Sequence, residues 1–167
     1  MEALVNKVAE SGIITFDLAP YVDSRNVVAF DLKPFLFREM ILREKDYRAA
    51  LLTHDWQLYE GKDVAIFCSA DAIVPVWAYM LAAVYIEPIA HSVYYGTTSE
   101  LEKSLLYQRI NSIALADFVD KRIVIKGCGD THVPEEAYVA ITAKFRPVAK
   151  SIMYGEPCST VPVYKKK

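Results

Sequence analysis

Four short runs rich in β-branched and aromatic residues constrain this chain most: DVAIFC (63–68), SVYY (92–95), RIVIKG (122–127) and SIMY (151–154). Their starts lie 29, 30 and 29 residues apart. A strand, a helix and two loops consume about 30 residues in one right-handed β-α-β crossover, so the rhythm predicts four successive β-α units. The runs show little apolar/polar alternation, which is expected of strands covered on both faces. The fold class that follows is α/β: three layers around a mainly parallel sheet, with four β-α units from residue 63 on.

Helical patterns fill the gaps. Leu101, Leu105, Ile110 and Ile113 share a face behind a capping-box pattern at Ser99-Glu100-Leu101-Glu102. Tyr138, Ile141, Phe145 and Val148 share another, behind Pro134-Glu135-Glu136, with Pro147 placed to kink or end the helix. Residues 75–87 (PVWAYMLAAVYIE) are apolar nearly all round, which predicts burial on both sides and offers a contact to a second copy. Trp77 and Tyr79 on that helix read as core or interface.

The first sixty residues have no such rhythm. Residues 2–10 suit a helix stopped by Gly12, ITFDL and VVAFDL suit strands, and 43–55 suits a helix. FLFREMIL (35–42) fits strand or helix equally. Residues 1–60 are therefore expected to extend the sheet of the repeated units at 61–164. No Gly/Ser/Pro-rich linker divides the two, so 1–167 is expected to form one α/β domain.

Composition narrows the function classes. The net charge of −2 gives no surface for nucleic acid or an anionic membrane, and the only basic run, Lys165-Lys166-Lys167, reads as a solvated end. The most apolar stretch, 72–86, is shorter than the roughly 20 residues a bilayer span needs. Residues 1–10 lack the apolar run of a secretory leader. Cys68, Cys128 and Cys158 are odd in number and far apart, which argues for free thiols in a reducing, cytoplasmic setting.

The cysteines carry the main functional signal. Each follows a predicted strand and precedes Val-Pro: Cys68 to Val74-Pro75, Cys128 to Val133-Pro134, and Cys158 to Val161-Pro162. In open parallel sheets, strand carboxyl ends and helix N-termini form the ligand crevice. Four uses of these thiols compete. They can fill tight turns as small apolar groups. They can ligate zinc or iron together, with His132 or Asp71 as a fourth ligand. One thiol can react, with Cys128 and Cys158 the candidate nucleophiles or sulfur carriers. The loop N–H groups can hold an anion.

Asp71, Asp130 and Ser159 would stand nearby, with Asp71, Asp130 and Thr131 also suited to cap helices. His132 shares a loop with Cys128. His54 reads as a helix C-cap, and His91 lies before a strand and so at the opposite end of the sheet. Neither nucleotide-binding glycine fingerprint is present, nor a GxSxG elbow, nor HExxH.

The phrases REKDYRAAL (43–51), HDW (54–56), VAIFCSADAIVPVWAYML (64–81), IVIKGC (123–128) and PVAKSIMYGEPCSTVPVYKK (147–166) resemble a bacterial family of Bacteroidetes, domain of unknown function 2480. The resemblance covers most of the chain and includes all three cysteines, but brings no activity. It implies an accessory role in handling iron, sulfur or their clusters, beside iron–sulfur assembly proteins.

The leading expectation is an accessory or binding protein with a cysteine-lined strand-end pocket that holds a metal or presents a thiol. A thiol-dependent enzyme, and an interaction protein dimerising through 75–87, are the alternatives.

Overall fold

The computed structural model describes residues 12–126, 129–156 and 159–167. In chain order the strands are β1 (Ile13–Phe16), β2 (Val27–Asp31), β3 (Leu36–Phe37), β4 (Ile41–Leu42), β5 (Asp63–Phe67), β6 (Ser92–Tyr95), β7 (Arg122–Ile125), β8 (Ser151–Glu156) and β9 (Ser159–Lys165). The described helices are α1 (Glu44–Leu52), α2 (Val76–Ile86), α3 (Thr98–Asn111) and α4 (Glu135–Phe145). All four rhythmic runs are strands, and the fold is mixed α/β with mainly parallel pairing. The helix expected at 2–10 lies outside the described residues.

The strands do not form the single sheet expected from the rhythm. One sheet runs β1-β7-β8-β9, a second runs β2-β5-β6, and β3 and β4 form a small antiparallel hairpin. The chain divides accordingly into two compact units: residues 1–23 with 105–167 (unit 1), and residues 24–104 (unit 2). The middle stretch of the rhythm, from β6 through α3 to β7, therefore leads from one sheet to another. The N-terminal strands do extend parallel sheets, but different ones: β1 pairs with β7, and β2 with β5.

Within each unit a β-α-β crossover supplies the core. In unit 2, α2 buries Ala78, Ala82 and Ile86, and these pack with Phe30, Tyr47, Leu51 and Val64. In unit 1, α4 buries Ala137, Ile141 and Phe145, and these pack with Phe16, Ile123 and Ile152. The three buried positions recur at i, i+4 and i+8, one stripe of an α-helix. Within the single chain only that face of 75–87 is buried: Val76, Met80 and Val84, on its other face, are exposed.

The two crossovers repeat each other. Residue n of unit 2 matches residue n+59 of unit 1 in sequence, pairing and backbone hydrogen bonds. Pro75 matches Pro134, and each stands immediately before its helix. His91 N–H donates to Lys62 O at 2.8 Å, as Lys150 N–H does to Lys121 O. Gly61 N–H donates to Ile89 O at 2.9 Å, and Asp120 N–H to Val148 O at 2.8 Å. Gly61 and Asp120 share a left-handed backbone, with φ of 65° and 54°; glycine adopts it freely, and aspartate is among the few others that tolerate it. The ring of Tyr79 meets Tyr95 edge-on at 5.1 Å, and Tyr138 meets Tyr154 likewise at 5.6 Å.

The first strands repeat too, at a different spacing. Phe16-Asp17-Leu18 ends β1 as Phe30-Asp31-Leu32 ends β2, and each enters a single 3-10 turn containing a proline. Asp17 Oδ1 accepts the Ala19 N–H, and Asp31 Oδ1 the Lys33 N–H, both at 2.9 Å.

Several local expectations change. The stretch 35–42 is neither one strand nor a helix but contains the β3–β4 hairpin, around Arg38 and Glu39 at positive φ. The capping box belongs to Thr97 and Glu100, two residues upstream of the predicted one. Glu100 Oε2 accepts the Thr97 N–H at 2.7 Å, and Thr97 Oγ1 accepts the Glu100 N–H at 3.3 Å. The C-terminal lysines are not wholly loose: Lys165 pairs with Ser151 in β9, and Lys166 Nζ lies 2.8 Å from Asp120 Oδ1.

Candidate functional site: two equivalent strand-end clefts

Each unit opens a cleft of about 760 Å³ beside its crossover helix, within the range of small-ligand sites. The two occupy equivalent places. Ile66, Val74, Val76, Tyr79, Ala83, Tyr94 and Tyr95 line the cleft of unit 2; at n+59, Ile125, Val133, Glu135, Tyr138, Thr142, Met153 and Tyr154 line that of unit 1.

The unit 1 cleft is polar. Asp17 enters it just beyond β1 and Lys126 just beyond β7, because parallel pairing places both at carboxyl ends. Lys126 N–H donates to Phe16 O at 2.8 Å, and Lys126 Nζ lies 3.5 Å from Asp17 Oδ2. Asp130, Thr131 and His132 enter from the loop before α4, and Glu135 from its first position. Val163 of β9 also lines it. Three carboxylates, an ammonium and an imidazole lining one cleft can hold a polar or charged ligand and exchange protons with it.

The unit 2 cleft is lined by aliphatic and tyrosyl side chains. Its polar cluster stands instead at the carboxyl end of β2. Asp31 Oδ1 accepts the Ser69 N–H at 2.9 Å, and Asp31 Oδ2 accepts the Ser69 hydroxyl at 2.5 Å. Partial burial works to raise the Asp31 pKa. Hydrogen bonds from Ser69 and Lys33 outweigh it and hold the carboxyl below its ordinary value.

Among the sequence-predicted site residues, Asp130 and His132 meet in the unit 1 cleft. Asp71 lines a separate small cleft with Met40, Ile41 and Pro75. Ser159 is the exposed first residue of β9. Cys68 is half-buried, with Sγ 3.8 Å from Ala70 O. Cys128 and Cys158 lie outside the described residues.

The expectation of three cysteines at one sheet edge does not hold. Cys68 follows β5 of one sheet, whereas in sequence Cys128 and Cys158 follow β7 and β8 of the other. The repeat also shifts the phrase by one residue, since Cys68 matches Gly127 and Ser69 matches Cys128. Among the described residues no group of three or more His, Cys, Asp or Glu stands together as a metal site.

Asp71, Asp130 and Thr131 are not helix N-caps, because Pro75 and Pro134 occupy those positions. His54 does not cap α1, whose C-cap is Thr53. Its Nε2 lies 3.1 Å from the Tyr59 hydroxyl, and its ring packs edge-on against Trp56 at 4.7 Å.

Sequence reasoning missed Asp17, Lys126 and Glu135, and it missed Asp63. The repeated Phe-Asp-Leu-x-Pro phrase was the available signal for Asp17. Asp63 is buried, and its Oδ1 accepts the Ser92 hydroxyl at 2.5 Å and stands 2.8 Å from His91 Nδ1. This cluster lies at the amino end of β5, away from the strand carboxyl ends, which fits a structural role for His91.

A family model described as "Protein of unknown function (DUF2480)" matches residues 2–166. No curated protein and no solved structure matches the chain. No described helix is long and apolar enough to cross a membrane.

Proposed function

The chain belongs to that family of unknown function, and on this premise we propose that it is a binding protein whose ligand seat is the strand-end cleft of unit 1. There it holds a thiophilic metal ion, zinc or iron, in an accessory role in iron–sulfur handling. The observation that carries this reading is the meeting of His132 and Asp130 in a polar cleft at strand carboxyl ends. In sequence Cys128 stands between Lys126 and Gly129, both of which line that cleft. Imidazole and thiolate together suit zinc or iron, with Cys158 as the further thiol. Metal analysis of protein purified without oxygen, paired with a thiol titration, tests it. Stoichiometric metal with protected thiols, reduced by His132→Ala, is the expected result; metal-free protein with freely titrating thiols overturns it.

A second reading is a thiol-dependent enzyme or sulfur carrier using Cys128 or Cys158. Lys126, two residues before Cys128 in sequence, favours it, since a nearby cation lowers a thiol's pKa, and the His132 imidazole in the same cleft is of a type that serves as a base. One fast-reacting thiol, lost in Cys128→Ser or Cys158→Ser, is its signature.

We also infer that the chain associates with itself through 75–87, supported by the aliphatic side chains that α2 leaves exposed. Sedimentation of the full chain tests this, and a monomer at all concentrations overturns it.

A further inference from the structure

Among the described residues, one edge of unit 2 lacks the strand partner that the equivalent edge of unit 1 has. In unit 1, β8 has a neighbour on each side: β7 runs parallel to it, and β9 antiparallel. Its counterpart β6 ends the described sheet β2-β5-β6, with β5 its only partner. The cause lies in the segments after the matched glycines. Beyond Gly155 the chain returns as β9, whereas beyond Gly96 it enters α3.

The free edge can be specified by residue. Ser92 N–H and Gly96 N–H both turn towards β5, donating to Lys62 O and Ile66 O. Alternate residues of a strand point their backbone groups to opposite sides, so those of Val93 and Tyr95 are directed away from β5. Bare strand edges invite pairing, and proteins usually blunt them with lysine, proline or a bulge. Residues 92–95 contain neither lysine nor proline.

The same border is apolar. Val93, Tyr94 and Tyr95, consecutive residues, all line the unit 2 cleft, which therefore reaches the strand's outer edge. Ile73 is 94% exposed, and Val76, Met80, Val84 and Tyr95 are each between 64% and 73% exposed. Contiguous apolar surface of this kind marks an interaction site. From Val64 to Ile86 only Asp71 carries a formal charge, whereas the matched stretch of unit 1 carries Lys126, Asp130, Glu135, Glu136 and Lys144.

We propose that this edge pairs with a second copy of the chain, β6 against β6 in antiparallel sense about a two-fold axis, so that two three-stranded sheets become one of six strands. This rests on the self-association reading above and names its geometry. A two-fold axis places a strand antiparallel to its own copy, the sense in which β9 fills the equivalent edge of unit 1. A face with almost no charge meets its copy without like-charge repulsion, and it offers no complement to a charged partner. The exposed side chains of α2 and Ile73 are then covered along with the strand.

Amide hydrogen exchange on the full chain, read residue by residue alongside sedimentation, tests this. The expected result is a dimer in which the Val93 and Tyr95 amides exchange at least tenfold slower than in protein diluted to monomer, while Tyr94 is slow in both states. Met80→Glu, at an exposed position, is expected to give a folded monomer with fast Val93 and Tyr95 exchange. A dimer whose Val93 and Tyr95 amides exchange fast overturns the strand pairing and leaves association through α2 standing. A monomer at every concentration overturns both.

Discussion

Units 1 and 2 share a frame and differ in what the frame carries. Both pack Ala-x3-Ala/Ile-x3-Ile/Phe on the buried stripe of the crossover helix, both start that helix after Val-Pro, and both carry Tyr-Gly at matched positions near the carboxyl end of the second strand. The matched residues are those that a parallel β-α-β needs for packing and backbone bonding. The clefts share Ile66/Ile125, Val74/Val133, Tyr79/Tyr138 and Tyr95/Tyr154 but differ at other matched positions: Val76 against Glu135, Ile73 against His132, Ala83 against Thr142. Core positions are held by close packing, while cleft positions are free to take up different chemistry.

Large-to-small changes in the two cores probe the shared frame most strongly. Phe145→Ala in unit 1 is expected to cost about 3–5 kcal/mol, and Ile86→Ala in unit 2 about 2–5 kcal/mol. Both tryptophans, Trp56 and Trp77, belong to unit 2. In urea titrations Ile86→Ala should therefore move the fluorescence midpoint, and Phe145→Ala the circular-dichroism midpoint. Equal movement of the fluorescence midpoint by both substitutions would show that the units unfold as one.

The next contrast is at the first residue of the matched strands, Asp63 in unit 2 and Arg122 in unit 1. Asp63 is buried, and its removal strands the Ser92 hydroxyl and the His91 ring. Asp63→Asn is expected to cost about 1–3 kcal/mol. Arg122 is exposed, and Arg122→Ala should stay within about 0.5 kcal/mol. Thermal melts of the two variants compare them directly.

A smaller effect is expected at the matched aspartates at the carboxyl ends of β1 and β2. Asp31→Ala loses three hydrogen bonds and should cost about 1 kcal/mol, solvent taking over part of the loss. Asp31 also gives a pH signature. Its folded pKa lies below the ordinary 3.8, so its contribution is present above that value and lost as pH falls through the lowered one. The stability gap between wild type and Asp31→Ala should therefore narrow in acid. Thr97→Ala, which removes the side-chain half of the α3 capping box, should cost about 1 kcal/mol at most, read from the same melts.

Much of the local structure was legible. The four rhythmic strands, the helices at 76–86 and 135–145, and the stop before Pro147 all follow from β-branched runs, apolar stripes and proline. The capping box slipped by two residues because Thr97 and Ser99 both precede suitable acids, and only the geometry of Glu100 chooses between them. The short hairpin at 36–42 was ambiguous because two-residue strands have no measurable period. Asp130 and His132 were found because they share a loop at a strand end. Asp17 was not, because it enters the same cleft from a strand more than a hundred residues away in sequence.

The sequence by itself determined the rhythmic strands, β1, β2 and the helices between them, their order, and the parallel sense of the crossovers, since these depend on neighbours a few residues apart; it left the β3–β4 hairpin undecided and gave no sign of β9. Only the tertiary structure decided which strands pair. β1 and β2 are both short apolar runs that lead into Phe-Asp-Leu, and nothing local tells the first to join β7 and the second β5. That choice lies in long-range registers such as Ile14 with Ile123 and Val28 with Val64. It turned one expected sheet into two units, and one expected cysteine edge into two clefts of different chemistry.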